Sequence, residues 1–63
     1  MSILEQLLQD RATLNALLTA REAVPTETMR TIERVAWDMY LTMLRDALNT
    51  LDSLIEHLTP KPD

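Results

Sequence analysis

An all-α fold, an antiparallel helical hairpin that dimerises into a four-helix bundle, is what this sequence predicts, on three observations. Glycine is wholly absent while Leu, Ala, Met, Glu and Arg dominate, which is the composition of helices rather than sheets. Apolar residues recur at helical spacing on both sides of one interrupting proline, Pro25. The second of these two segments carries more apolar surface than the first can cover, so a further helix must come from outside the chain.

The first helix opens on Ser2 with Glu5 three residues on, a capping box in which each residue can satisfy a backbone donor of the other. It is expected from about Ile3 to Glu22. Pro25 ends it by pushing the preceding residue out of the α region, and Thr26 followed by Glu27 offers a new N-cap and a dipole-matched first turn. The turn therefore falls at about residues 23–26 and, without glycine, uses ordinary φ values in a short, stiff connection.

The second helix is expected from about Glu27 to Leu58, because no proline or glycine interrupts it and only Asn49, Thr50, Asp52 and Ser53 weaken its propensity. Thr59-Pro60 stops it and residues 59–63 form a frayed tail. The whole of 1–63 is read as one domain. The alternative, a bend near Asn49-Thr50 that folds the last turns back into a three-helix unit, lacks a residue to make the bend.

Stepping about 100° per residue around the second helix gathers Met29, Ala36, Tyr40, Ala47, Leu51, Leu54 and Leu58 on one stripe. Trp37, Leu41, Leu44, Leu48 and Ile55 widen it on one side, and Ile32, Met39 and Met43 on the other. The apolar arc reaches roughly 200°, against roughly 100° for a helix packed on one side only. The first helix presents Ile3, Leu4, Leu7, Leu14, Leu17 and Leu18, with Leu8 at the edge, enough for one flank alone.

A turn near residue 25 also sets a register, in which Met1 faces Asn49 and Leu51, Leu54, Ile55 and Leu58 overhang the first helix by roughly 13 Å. Large apolar side chains left in water forfeit on the order of 1.5 to 3 kcal/mol each. A domain of 63 residues has little stability to spare and, with no cysteine, no disulfide to supply it. Self-association follows as the expected source of stability.

Asp10 and Arg11 interrupt the apolar half of the first helix at the level this register assigns to Met39 and Tyr40. At the seam edge Asp10 would accept from the Tyr40 hydroxyl and Arg11 would lie on Tyr40 or Trp37; alternatively the two form an interface pair that fixes register. Glu33 falls inside the apolar arc, either solvated near the turn or paired with Arg30 or Arg34. Asp46, Asp52 and Glu56 make an acidic, solvated last third. His57 adjoins Glu56 but points about 100° away, so no metal-binding set converges there.

Other function classes are disfavoured. A net charge of −4 and scattered basic residues argue against unspecific binding to nucleic acid. The short apolar runs span no membrane. Acidic Glu5 and Asp10 stand where a secretory signal needs basic residues, so a cytoplasmic location is expected. No nucleophile with a convergent base and no Gly-rich phosphate loop is present, so neither an enzyme, a cofactor, a metal nor a small-molecule substrate is expected.

The length and the hairpin resemble, in architecture, the plasmid RNA-binding regulators that dimerise into four-helix bundles; those proteins use a basic helix face, which this chain lacks. The hairpin also looks like the small export chaperones of needle-type secretion systems, which cover an apolar helix of a client. The expectation is therefore a non-enzymatic, homodimeric adaptor, chaperone or inhibitor of a protein partner. Its contact surface comprises Trp37, Tyr40, Met43, Leu44 and Leu48 with Leu51, Leu54, Ile55 and Leu58. The alternative is a nucleic-acid regulator using Arg30, Arg34 and Arg45 of a dimer.

Overall fold

The computed structural model describes residues 2–60, and these form two helices and no strand: α1 over Ile3–Glu22 and α2 over Thr31–Leu58. The two pack as a helical hairpin, a rod of 51 × 17 × 17 Å. Its width is that of two helices, so each helix has one neighbour and open sides. Residues 61–63, where the frayed tail was expected, and Met1 lie outside the described residues.

α1 has the expected bounds, and the Ser2 half of the capping box is formed: its Oγ accepts from the Glu5 amide at 3.1 Å. The helix closes at Ala23, whose amide donates to Thr19 O at 3.3 Å, and Val24 continues with a bond to Arg21 O at 3.2 Å. Pro25 follows at once, as its missing amide requires.

The start of α2 differs from the expectation. Thr26 does not cap a helix beginning at Glu27; it opens an isolated turn, closed by the Met29 amide on Thr26 O at 3.1 Å. Arg30 then takes an extended ψ of 159° and serves as N-cap with no side-chain hydrogen bond, and α2 begins at Thr31. The connection runs over the eight residues Ala23–Arg30 rather than four. Among the described residues no φ is positive, so ordinary turns suffice, as the lack of glycine demands.

α2 runs unbroken through Asn49 and Thr50 to Leu58, so the last turns do not fold back. The Thr42 and Thr50 hydroxyls donate to the carbonyls one turn earlier, Asp38 O at 2.9 Å and Asp46 O at 3.0 Å, which lets threonine sit inside a helix without a tertiary partner. Thr59 closes the end, its amide bonded to Ile55 O at 2.9 Å.

The longer connection changes the register of the hairpin. Arg11 pairs with Asp52, Arg45 with Glu22, and Leu18 packs with Leu41 and Leu44. Asn15, Leu48 and Asn49 line one hollow, placing Asn49 opposite the middle of α1 and not opposite its start. The expected overhang of Leu51 to Leu58 is thereby removed: these residues run beside the first half of α1, with Leu51 and Ile55 half-buried. The unmatched length lies at the other end, where the first ten residues of α2, about 15 Å of helix, run past the end of α1. Only the connecting loop, with half-buried Val24, Thr26 and Met29, accompanies them.

The core is small. Leu18, Leu41 and Leu44 are the only buried side chains among the described residues, with Leu14, Leu17, Trp37, Tyr40 and Leu48 packed around them.

Candidate functional site

α2 is the element on which a surface can be built, because α1 covers only one of its flanks. The covered flank carries Trp37, Leu41, Leu44, Leu48 and Ile55, all buried or half-buried. On the other flank Ile32 is 77% exposed, Met39 69%, Met43 57% and Val35 54%. Met39 and Met43 line a shallow hollow with Val35, between Asp38, Thr42 and Asp46. Further along, Leu54 and Leu58 are about half exposed on the same helix. This unpartnered apolar stripe is the most distinctive surface feature of the chain.

It arises from a pattern that a single hairpin cannot satisfy. Residues 32, 36, 39 and 43 recur at four, three and four positions, the spacing of one helix face, while 37, 41, 44, 48 and 55 trace a second face about 140° away. One neighbouring helix buries one such face. Scattered apolar residues on a surface need no explanation, but a continuous stripe of large ones marks an interaction site.

The expected contact residues divide between these two faces. Met43, Leu54 and Leu58 are open to solvent. Leu44, 4% exposed, is instead a centre of the hairpin core, and Leu48 packs against it, because the register brings both onto Leu18. Trp37 and Tyr40 also pack on this core, their rings 5.4 Å apart and tilted by 51°, and both are half-buried. Leu51 and Ile55 are half-buried beside α1. Ile32, Val35 and Met39 belong to the open stripe but not to the expected contact set. Their helical spacing with Met43 was the available signal, masked by the stronger pull of the aromatic residues and of an overhang that the register does not produce.

The pair Asp10 and Arg11 also lies elsewhere than expected. Neither reaches Tyr40, since the true register sets residue 11 beside 52. Asp10 accepts from Gln6 Nε2 at 3.0 Å within α1, and Arg11 forms an ion pair with Asp52 of α2. Arg45 donates to Glu22 at 3.0 Å, making a second bridge between the helices. The two bridges have opposite sense along the seam, so a slip of one turn breaks both. Arg30 pairs with Glu33 at 3.0 Å, one turn away and at the surface. Two of the three arginines considered for nucleic acid are thus occupied by carboxylates.

At the acidic end, His57 Nδ1 lies 3.0 Å from Ser53 O, and Glu56 is near it around a small open hollow. Among the described residues no group of three or more His, Asp or Glu converges on one point. No helix among them is long and apolar enough to cross a membrane.

No family model, no curated protein and no solved structure matches this chain.

Proposed function

We propose that this chain is a non-enzymatic protein-interaction module, an adaptor, chaperone or inhibitor in type, which works as a homodimeric helical bundle through the open face of α2. The observation that carries the reading is the stripe from Ile32 through Met39 to Met43, exposed on a helix whose other flank is already occupied. Burial of such side chains is favourable by on the order of 1.5 to 3 kcal/mol each. A hairpin with three buried leucines has much to gain from it.

The composition of the stripe supports a protein as the partner. Methionine is flexible and polarisable, fits irregular apolar neighbours and is enriched in interface cores. The acidic balance of the chain, −4 overall, suits a basic or neutral protein and opposes phosphate. The alternative of a nucleic-acid regulator has no observation in its favour, since Arg30 and Arg45 face carboxylates.

Sedimentation equilibrium of the wild-type chain and of a Met39→Asp variant, from about 1 to 100 μM, tests the reading. A self-associating wild type and a helical, monomeric variant are expected. A wild type that stays monomeric and cooperatively folded across that range overturns it.

A further inference from the structure

The two grooves between α1 and α2 are chemically unlike. One carries both inter-helix ion pairs together with Asn15 and Asn49, and suits water. The other is lined by Leu14, Leu17, Ala47 and Leu51 with Asp10 and Thr50, and the Thr50 hydroxyl is already committed to Asp46 O at 3.0 Å. Met43 and Leu54 lie within about 40° of Ala47 around α2 and prolong this apolar groove. The chain exposes 5169 Å², about 1,000 Å² more than a folded monomer of its mass, and a standard interface removes roughly 800 Å² from each partner.

The charges on this groove identify what covers it. Asp10 and Arg21 stand eleven positions apart, close to three turns, on one line of α1 and on the same side as Leu14 and Leu17. Neither forms an ion pair among the described residues, and Asp10 accepts only from Gln6. A two-fold axis crossing the groove between residues 15 and 16 sets Asp10 of each copy against Arg21 of the other. The apolar residues of α2 define an axis of their own. Met43 and Leu54, Ala47 and Thr50, and Met39 and Leu58 are each disposed evenly about the point between 48 and 49. The two points stand at one height, because the hairpin register places Asn15 beside Leu48 and Asn49. One axis therefore satisfies the charges of α1 and the apolar packing of α2 together.

The remaining charges are compatible with that axis. Glu5, Arg11 and Glu22 of α1 and Arg45, Asp52 and Glu56 of α2 all point more than about 100° away from this groove. Glu33 and Asp38 precede the overlap of the two α2 helices, which begins at Met39, as do Ile32 and Val35, which stay open. Asp46 stands at the outer edge, exposed to water, about 7.5 Å along the axis from its own copy. A parallel pair would instead set Asp10 against Leu54 and Arg21 against Met43 of the other copy, leaving both charges unmatched on apolar surface.

We infer that two copies associate groove to groove about a two-fold axis perpendicular to the helices, α1 against α1 and α2 against α2, with Asp10 of each copy paired to Arg21 of the other. This rests on the proposed self-association and adds its face, direction and register.

Charge reversal tests the pairing. Asp10→Arg and Arg21→Asp, both at exposed positions, are each expected to weaken dimerisation by roughly tenfold or more in sedimentation equilibrium, since each turns two attractions into two repulsions. The same two changes in one chain exchange the signs, restore both pairs and return the affinity to that of the wild type. Dimerisation unmoved by the single reversals, or not recovered in the double, overturns the inference. The chain has no cysteine, so introduced thiols report the register without background. Met43→Cys with Leu54→Cys in one chain, oxidised with copper–phenanthroline, is expected to give a disulfide-linked dimer. Met43→Cys alone is expected to give none, because its two copies stand about 16 Å apart along the seam. Self-linking of Met43→Cys alone, or a dimer that the double thiol variant fails to link, sinks the direction or the register and leaves the proposed function standing. Circular dichroism checks that each variant keeps its helix content, and a wild type that is a helical monomer sinks both.

Discussion

Arg11 on α1 and Asp52 on α2 form an ion pair across the hairpin seam, forty-one positions apart in sequence. Together with the Glu22–Arg45 pair it fixes where the helices stand along one another, beside the core of Leu18, Leu41 and Leu44. Both side chains of the first pair are about half exposed, so water and salt weaken the attraction.

A double-mutant cycle over Arg11→Ala and Asp52→Ala is therefore expected to give a coupling of about 0.2–1 kcal/mol in urea unfolding. The coupling should shrink towards zero at about 1 M salt, where the screening length is near 3 Å. Zero coupling at low salt would show that this pair does not help to hold the register.

Leu44 is the most buried side chain among the described residues. Leu44→Ala is expected to cost about 2–5 kcal/mol, comparable to the whole stability of a domain this size. Circular dichroism at 25 °C should then show a largely unfolded chain, while Met43→Ala, one residue away but exposed, keeps its helix content when measured at the same low concentration.

The N-cap of α2 is unsatisfied, since Arg30 offers no side-chain acceptor to the first turn. Arg30→Ser is expected to stabilise the chain by about 0.5–2 kcal/mol and raise Tm by several degrees, even with the exposed Arg30–Glu33 pair removed. Ser2→Ala should act in the opposite direction by about 1 kcal/mol, because it removes the acceptor of the Glu5 amide. Thermal unfolding followed at 222 nm reads both.

If burial of the open face contributes to stability, Tm must depend on protein concentration. A rise of several degrees between about 1 and 100 μM is expected for the wild type and none for Met39→Asp. Equal, concentration-independent melting of the two would show that no second copy binds the stripe.

The parts of this fold that were legible in the sequence are those governed by neighbours along the chain. Ser2, Glu5 and Pro25 act within a turn of themselves, and they place α1 correctly. The unbroken run to Leu58 likewise follows from the absence of breakers. The two-flanked apolar arc of α2 was also readable, because helical periodicity is a local property. Register was not. Thr26-Glu27 has the chemistry of a helix start, yet the chain spends it on an isolated turn and begins α2 at Thr31, behind a residue with no capping chemistry. That addition of four residues to the connection lets α2 slide along α1, so Arg11 meets Asp52 and not Tyr40. The compensation comes from charge pairs and leucines far apart in sequence. The alternation of sign at Arg11 and Glu22 against Asp52 and Arg45 was the one long-range clue available.

The connection from Ala23 to Arg30 has a further consequence. It holds α1 and α2 in reach of each other, while the seam itself consists of side chains on the helices. A protease cut in its exposed stretch at Glu27-Thr28 would sever the chain without removing any contact in that seam. The two fragments would lose only their mutual proximity, an effective concentration of millimolar order, and so each helix retains everything it needs to find the other again.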